Sequence, residues 1–129
     1  MMFGQIPKSS GGEAYFFGLP GNPVAAMVCF LLYAHPAIRL LAGEDWFEPL
    51  SFQGVAGFDM KARKPDRREF LRGRLSVSNG ATCATKYPRD GSGLISSLRE
   101  SDGLIELSES GAAVTKGQLV DFIPFSAFR

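Results

Sequence analysis

Short runs rich in β-forming residues, separated by turn-forming clusters, occupy residues 45–129 and constrain the fold more than any other feature. The runs cover residues 50–58, 67–77, 81–87, 103–107 and 118–122. Ser78-Asn79-Gly80 indicates a hairpin, because Asn-Gly tolerates the positive φ angles that tight turns require. Short strands at this spacing predict a small barrel or sandwich, and residues 94–99 predict a single helical turn.

Residues 1–44 have a different pattern, which we interpret as loop, strand, turn and helix. An aromatic run at residues 14–17 predicts a short buried strand. A dense turn signal, GLPGNP, follows at residues 18–23, and within it Asn22 suits a helix N-cap and Pro23 the first helical position. Pro36 is expected to kink or restart this helix, and Gly43 to end it.

One strand and one apolar helix leave a hydrophobic face that needs a second layer. Either the helix packs on the barrel, or another chain covers it, or the protein continues upstream. The predicted class is therefore α+β, with a boundary between residues 1–44 and residues 45–129.

The uninterrupted apolar part of the helix is too short to span a membrane. Its uninterrupted apolar part, residues 24–34, is about half of the ~20 residues that a span needs. A buried helix is therefore predicted, with no membrane partner. The N-terminus has no pattern of a secretory signal, so the cytoplasm is the expected location. Cys29 and Cys83 are expected to be reduced.

Basic residues cluster in one window, although the net charge of +1 gives no global attraction to nucleic acid. Half of the 14 Lys and Arg residues fall there: Lys61, Arg63, Lys64, Arg67, Arg68, Arg72 and Arg74. Strand alternation predicts that Leu71, Leu75 and Val77 face the core and that the arginines face outward. Guanidinium groups in a row suit contacts to phosphate or carboxylate. The alternative is a solvated barrel face whose charge is balanced by neighbouring acids.

Two Gly-containing turns are further candidates for ligand contact. In the turn at residues 18–23, a strand leads through Gly into a helix, so backbone N–H groups at the helix start can hold an oxyanion. In Asp90-Gly91-Ser92-Gly93, the serine lies between glycines and can approach a ligand closely. Tight structural turns are the alternative for both. His35, the only histidine, is interpreted as structural, and a zinc site is not expected.

Four segments together resemble one family, the MoeA-type molybdopterin molybdenumtransferases, which is related to the C-terminal domain of gephyrin. FGLPGNPVAAMVCFLLYAHPAIRLLAG at residues 17–43 is similar to the end of that family's molybdopterin-binding α/β domain. REFLRGRL, DGSGLISSLRESDGLIEL and GQLVDFIPF follow in the order of its C-terminal β-barrel domain. The resemblance implies a terminal strand-loop-helix piece of the α/β domain, followed by the barrel.

The resemblance also implies a reaction and a set of partners. Adenylylated molybdopterin and molybdate would yield molybdenum cofactor with release of AMP, assisted by Mg²⁺. The family acts as a homodimer whose cleft is shared between subunits. Pro20, Gly21, Asn22 and Pro23 would form one wall near the phosphate or pterin. Arg72 and Ser92 match barrel positions that face the same cleft; no metal ligand and no catalytic residue is assigned.

The chain departs from the family pattern at three places. Ala25 stands where relatives often have Ser, and Gly93 stands where larger side chains also occur. The acidic and lysine residues that the family uses for metal and AMP would lie upstream of Met1. We therefore expect a fragment with part of the site, inactive alone. Two alternatives stay open: a barrel module that binds anions or nucleic acid, and a gephyrin-like scaffold.

Overall fold

The computed structural model describes residues 1–88 and 95–128, with the side chain of Ile95 left out. The chain divides into two compact units: Met1–Glu48 and a second unit that begins at Pro49.

The first unit opens with an antiparallel hairpin and continues with a helix. Strands β1 and β2 span Met2–Pro7 and Glu13–Gly18, and Met2 pairs with Gly18. Strand β1 was not predicted, because a run with Gly4 inside it and Pro7 at its end has little strand character of its own. The predicted strand at residues 14–17 is confirmed as part of β2. Its predicted burial is wrong, since no residue of the hairpin is buried.

The helix runs without a break through three segments. It comprises α1 (Pro23–Cys29), a π-helical segment (Phe30–Ala34) and α2 (His35–Leu41). The interruption predicted at Pro36 takes the form of the π-helical turn, in which His35 N–H donates to the carbonyl of Phe30. Because proline has no N–H and its ring crowds the preceding turn, a wider turn before it relieves the conflict.

The end of the helix confirms the expected glycine stop. Gly43 adopts a φ of 95°, its N–H donates to the carbonyl of Leu40 at 3.1 Å, and Glu44 N–H donates to the carbonyl of Arg39 at 3.0 Å. This pair of bonds is a Schellman motif, in which a left-handed glycine satisfies the last free carbonyls of a helix.

The helix start gives a first testable prediction. Asn22 Oδ1 accepts hydrogen bonds from the N–H groups of Val24 and Ala25, at 3.1 and 3.2 Å. Replacing Asn22 by alanine should destabilise the first unit by about 1 kcal/mol, because those two donors lose their acceptor. The fluorescence of Trp46, the single tryptophan, reports urea unfolding of this unit. Asn22→Ser restores an acceptor and should unfold near the wild-type midpoint; equal midpoints for all three proteins would contradict the capping role.

The apolar helix is largely exposed within this chain. Only Val24, Ala34 and Pro36 of the helix are buried. Its exposed large apolar residues are Met27, Phe30, Tyr33, Ile38, Leu40 and Leu41. The prediction of a buried helix is thus wrong for this chain, in which most large apolar side chains of the helix remain at least partly exposed. The helix Pro23–Leu41 is long and apolar enough to cross a membrane, a criterion that core helices of soluble proteins also meet.

The second unit is a closed five-stranded barrel, which confirms the predicted small barrel. The strands lie in the order β3-β5-β4-β6-β7, and β3 pairs with β7 to close it. Their bounds are β3 Phe52–Ala56, β4 Glu69–Ser78, β5 Ala81–Lys86, β6 Gly103–Leu107 and β7 Leu119–Pro124. A short helix, α3 (Ile95–Arg99), precedes β6, and a 3₁₀ turn (Phe125–Phe128) follows β7. Asn79 and Gly80 have positive φ angles of 51° and 77°, which confirms the hairpin between β4 and β5.

The barrel interior confirms most of the predicted core face of β4. Leu71 and Leu75 pack against the buried cluster. The cluster consists of Ala56, Ala84, Ile105, Leu107, Val114, Val120 and Phe122. Val77 is the exception: it is 78% exposed, so its assignment to the core is wrong. Beyond Gly73, β4 pairs with β5 but no longer with β6, so its last residues extend past the barrel interior.

A pair of glycines accommodates the largest buried side chain. Gly73 on β4 and Gly103 on β6 are directly paired, and Phe122 on β7 is fully buried. A Cβ atom placed on Gly103 would lie 2.7 Å from Phe122 Cε1, and one on Gly73 would lie 2.9 Å from Phe122 Cε2. The ring therefore occupies the space that side chains at these two positions would take.

Candidate functional site

The turn between β2 and the helix places Asn22 at the N-cap position of the helix. Its side-chain oxygen takes the N–H groups of Val24 and Ala25, so those two donors are not available to an anion in this arrangement. A shallow depression of about 380 Å³ lies at the start of the turn, lined by Met1, Met2, Gly18, Leu19 and Pro20. The anion site predicted at this turn would have to use donors other than the two that Asn22 caps.

Three arginines of the basic window are held by carboxylates or carbonyls of the barrel. Arg68 Nη1 lies 2.9 Å from Glu106 Oε1, and its Nε lies 2.9 Å from Glu109 Oε1. Arg74 donates from Nε to the carbonyl of Glu100 at 2.9 Å and lies 3.2 Å from its carboxylate. These contacts favour the alternative of a balanced barrel face, and they weaken the case for nucleic-acid binding, which needs uncompensated charge along the surface.

Arg63 is the most buried arginine of these ion pairs. Its side chain is 9% exposed, and Nη1 lies 3.6 Å from Glu69 Oε1. Nη2 donates to the carbonyl of Ser108 at 3.3 Å. The first contact joins the segment before β4 to the start of β4, and the second joins it to the residue that follows β6.

The carboxylate of Glu109 shows the electrostatic effect of this pairing. Its pKa lies below the ordinary value for a glutamate. The largest cause is a hydrogen bond from its own backbone N–H, followed by the hydrogen bond from Arg68. Both favour the ionised form, so Glu109 stays negative where it offsets Arg68.

Arg72 contacts the hydroxyl of Ser97 and the ring of Tyr87. Nη1 donates a short hydrogen bond to Ser97 Oγ, and Ser97 on α3 is fully buried. The Arg72 guanidinium carbon lies 5.6 Å from the ring centre of Tyr87, and that of Arg74 lies 5.4 Å from the same ring. Both guanidinium groups therefore lie within the range of a cation–π interaction with the same ring.

The segment from Ser97 to Asp102 is attached to the barrel wall by further polar contacts. Tyr87 Oη donates to Glu100 Oε2 at 2.7 Å, and Leu75 N–H donates to Asp102 Oδ2 at 2.8 Å. Ser101 Oγ donates to the carbonyl of Ser97. No role was predicted for Ser97 or Tyr87, and no local signal marks them, because their hydrogen bonds to Arg72 and Glu100 join residues 25 and 13 positions apart.

The predicted site residues are distributed over both units. Pro20, Gly21, Asn22 and Pro23 belong to the first unit, and Arg72 to the second. Ser92 lies outside the described residues. Thus the assignment of these side chains to one cleft stays a prediction.

His35 lies beside two aromatic rings, and Cys29 and Cys83 do not form a disulfide. The ring of His35 lies 6.0 Å from that of Phe30 and 5.4 Å from that of Phe47, which agrees with a structural histidine. Cys29 and Cys83 are free thiols of intermediate exposure, as predicted.

Comparison with known proteins decides the family. The profile of the MoeA C-terminal region (domain IV) matches residues 53–125, more than half of the chain. The chain belongs to the MoeA family. The match spans the barrel from β3 to the end of β7 and includes Arg72 and α3. The resemblance inferred from the sequence is therefore confirmed.

MoeA-family relatives extend the match to the first unit. A molybdopterin molybdenumtransferase of Haemophilus influenzae is 33% identical over 116 residues, which are 88% of this chain and 28% of the relative. The molybdenum cofactor synthesis protein cinnamon of Drosophila melanogaster is 32% identical over 125 residues, 94% of this chain and 20% of the relative. The chain thus spans about a quarter of the length of these MoeA relatives.

A solved structure supports the fold. A molybdenum cofactor biosynthesis protein from Pyrococcus furiosus matches with a TM-score of 0.64 and 27% identity, covering 81% of this chain and 36% of that one. The α+β class with a small C-terminal barrel is therefore shown for this MoeA chain. That the first unit belongs to a molybdopterin-binding α/β domain stays a prediction.

Proposed function

We propose that this chain supplies part of the active site of a molybdopterin molybdenumtransferase. The reaction would insert molybdate into adenylylated molybdopterin and release AMP. The observation that carries the proposal is the match of residues 53–125 to the MoeA C-terminal region, together with relatives that are named for this transferase activity. The first unit would be the C-terminal end of the molybdopterin-binding domain, and the enzyme would be a cytoplasmic homodimer with a cleft shared between subunits.

In this proposal the chain contributes contacts to the anionic parts of the substrates. Pro20, Gly21, Asn22 and Pro23 would form one wall beside the phosphate or pterin. Arg72 would hold phosphate or molybdate oxygens through its guanidinium, and Ser92 would add a hydroxyl. An oriented guanidinium is suited to this task because it binds two oxygens at once and keeps its charge at every physiological pH.

Magnesium would be a cofactor of the full-length enzyme in this proposal. Within residues 1–88 and 95–128, no three His, Cys, Asp or Glu side chains come together as metal ligands. Hard divalent cations need several oxygen ligands. The described residues do not fit a magnesium site, and so no step of the reaction is assigned to this ion here.

The proposal predicts a large effect of one substitution on activity. In the full-length product of the gene, Arg72→Ala should lower kcat/KM for cofactor formation about 10- to 100-fold, because a charge-assisted hydrogen bond contributes about 1.5–3 kcal/mol. Cofactor formed from adenylylated molybdopterin and molybdate is the quantity to measure.

Arg68→Ala is the matched control for this experiment. Arg68 immediately precedes β4, but its partners are Glu106 and Glu109, so its loss should change kcat/KM little. A folded wild-type protein that forms no cofactor and binds no molybdopterin would refute the proposed function. An Arg72→Ala protein with wild-type kcat/KM would remove Arg72 from the site.

A further inference from the structure

We propose that a cavity of the barrel binds a small zwitterion, a molecule that carries both a carboxylate and an ammonium group, as a free α-amino acid does. The cavity has a volume of about 150 Å³ and is lined by residues of β3, β6 and β7, by the segment between β6 and β7, and by Arg63. Neither Arg72 nor the turn at residues 18–23 lines it, so this site is additional to the proposed function.

Arg63 supplies hydrogen-bond donors that lack an acceptor. Its side chain is 9% exposed, and among the described residues its Nε and Nη1 atoms are buried without a hydrogen-bond partner. Glu69 Oε1 lies 3.6 Å from Nη1, which is too far for a hydrogen bond, and Glu69 does not line the cavity. A buried donor without an acceptor costs free energy, so an acceptor that reaches Arg63 from the cavity would be stabilised there.

The hydroxyls of Ser108 and Ser110 add a donor beside Arg63. Arg63 Nη2 donates to the carbonyl of Ser108 at 3.3 Å, which brings the guanidinium next to this segment. The two hydroxyl oxygens lie 2.9 Å apart and share one hydrogen bond, so one of their two hydrogens is left to donate. A guanidinium and a hydroxyl together suit a carboxylate, which accepts through two oxygens.

Asp121 supplies the opposite charge in the same cavity. Glu106 on β6 and Asp121 on β7 are directly paired in the antiparallel ladder, so their side chains lie on one face of the sheet. Arg68 lies 2.9 Å from Glu106, whereas the carboxylate of Asp121 forms no ion pair within residues 1–88 and 95–128. Like charges directly opposite each other on a sheet are destabilising, and an ammonium group beside Asp121 would relieve this repulsion.

The two ends of the cavity together define the class of ligand. The carboxylates of Glu106 and Asp121 would repel a simple anion, and a simple cation would leave the donors of Arg63 without an acceptor. A zwitterion places its carboxylate at Arg63 and its ammonium group at Asp121. The volume of about 150 Å³ is below that of pockets for drug-sized ligands, and it restricts the ligand to a few non-hydrogen atoms.

Binding of glycine, the smallest α-amino acid, to the full-length product of the gene tests the proposal. Equilibrium dialysis with radiolabelled glycine should show saturable binding with a dissociation constant of about 1 mM, as expected for a ligand of so few atoms. Acetate and methylammonium each carry one half of the zwitterion. Each should compete about tenfold more weakly than glycine, because each forms only one of the two charge-assisted contacts.

Substitutions at both ends of the cavity test the assignment of the two charges. Asp121→Asn removes an exposed carboxylate with little change of shape and should weaken glycine binding about tenfold. Arg63→Lys keeps the charge but loses the planar set of donors, and it should weaken binding by a similar factor. If Arg63→Lys does not fold, Asp121→Asn and the competition by acetate and methylammonium decide.

Asp66→Asn is the matched control. Asp66 is exposed, does not line the cavity, and has a φ of 67°, which asparagine tolerates. The variant should therefore bind glycine as the wild-type protein does.

Three outcomes would overturn the proposal. A folded wild-type protein that shows no saturable glycine binding would refute it, and equal binding by Asp121→Asn would place glycine at another site. Acetate that competes as well as glycine would show that the cavity holds an anion alone. None of these outcomes bears on the proposed function, which Arg72→Ala tests by itself.

Discussion

Replacing Phe122 by alanine should destabilise the barrel by about 3–5 kcal/mol, the largest loss expected for a single side chain in this protein. Phe122 is fully buried, and its ring fills the space above the paired glycines Gly73 and Gly103. With no side chains at those positions to move into the gap, the barrel cannot close around the cavity. The midpoint of urea unfolding, followed by circular dichroism, measures the loss.

Phe52→Ala is the matched control for this prediction. Phe52 pairs with Phe122 across β3 and β7, and the two ring centres lie 5.6 Å apart, but Phe52 is 38% exposed. The same chemical change should therefore cost clearly less there, because less apolar surface returns to water. Similar unfolding midpoints for the two variants would show that the buried ring of Phe122 stabilises the barrel no more than the partly exposed ring of Phe52.

Gly103→Ala is expected to have the second largest effect on the free energy of unfolding, a loss of about 3 kcal/mol or more. An added Cβ would lie 2.2 Å from the carbonyl oxygen of Ile123 and 2.8 Å from Cα of Pro124. Both are backbone atoms of β7, so relief requires the strand itself to move. The paired strands β6 and β7 would have to separate at the end of their ladder, where Gly103 pairs with Pro124.

Gly54→Ala is the control for Gly103→Ala. It tests whether the loss of stability comes from the close approach of the β7 backbone or from replacing any glycine within a strand. Gly54 is a buried glycine of β3, and an added Cβ would meet Thr82 O at 3.5 Å and Ala84 Cβ at 3.6 Å, which are ordinary contacts. The unfolding midpoint of the Gly54→Ala variant should shift no more than that of a typical surface substitution. A Gly103→Ala protein as stable as Gly54→Ala would mean that β7 shifts without cost.

The second unit was predictable from its local pattern because its strands are short and separated by strong turn signals. The pattern of residues 67–77 predicts the core side chains Leu71 and Leu75 correctly, since alternation along a strand is a local property. It fails at Val77, where the strand has passed the end of its partner β6. Where a strand stops pairing is decided by another part of the chain.

The candidate site shows the same limit. The basic window marks seven cations, yet it does not distinguish Arg72 from Arg68 or Arg74. The structure gives Arg68 the partners Glu106 and Glu109, and it gives Arg74 the partner Glu100. These carboxylates are 26 to 41 positions away along the chain, so no local sequence pattern predicts them as partners.

By itself, the sequence determined the strand and turn pattern of the barrel, the capped helix start at Asn22, the glycine stop at Gly43 and the resemblance to the MoeA family. Each depends on residues that are neighbours along the chain. Only the tertiary structure decided that two paired glycines make room for Phe122 and that Ser97 holds Arg72. Both arrangements depend on strands and a helix that meet only when the barrel closes, since packing and buried hydrogen bonds are relations between distant segments.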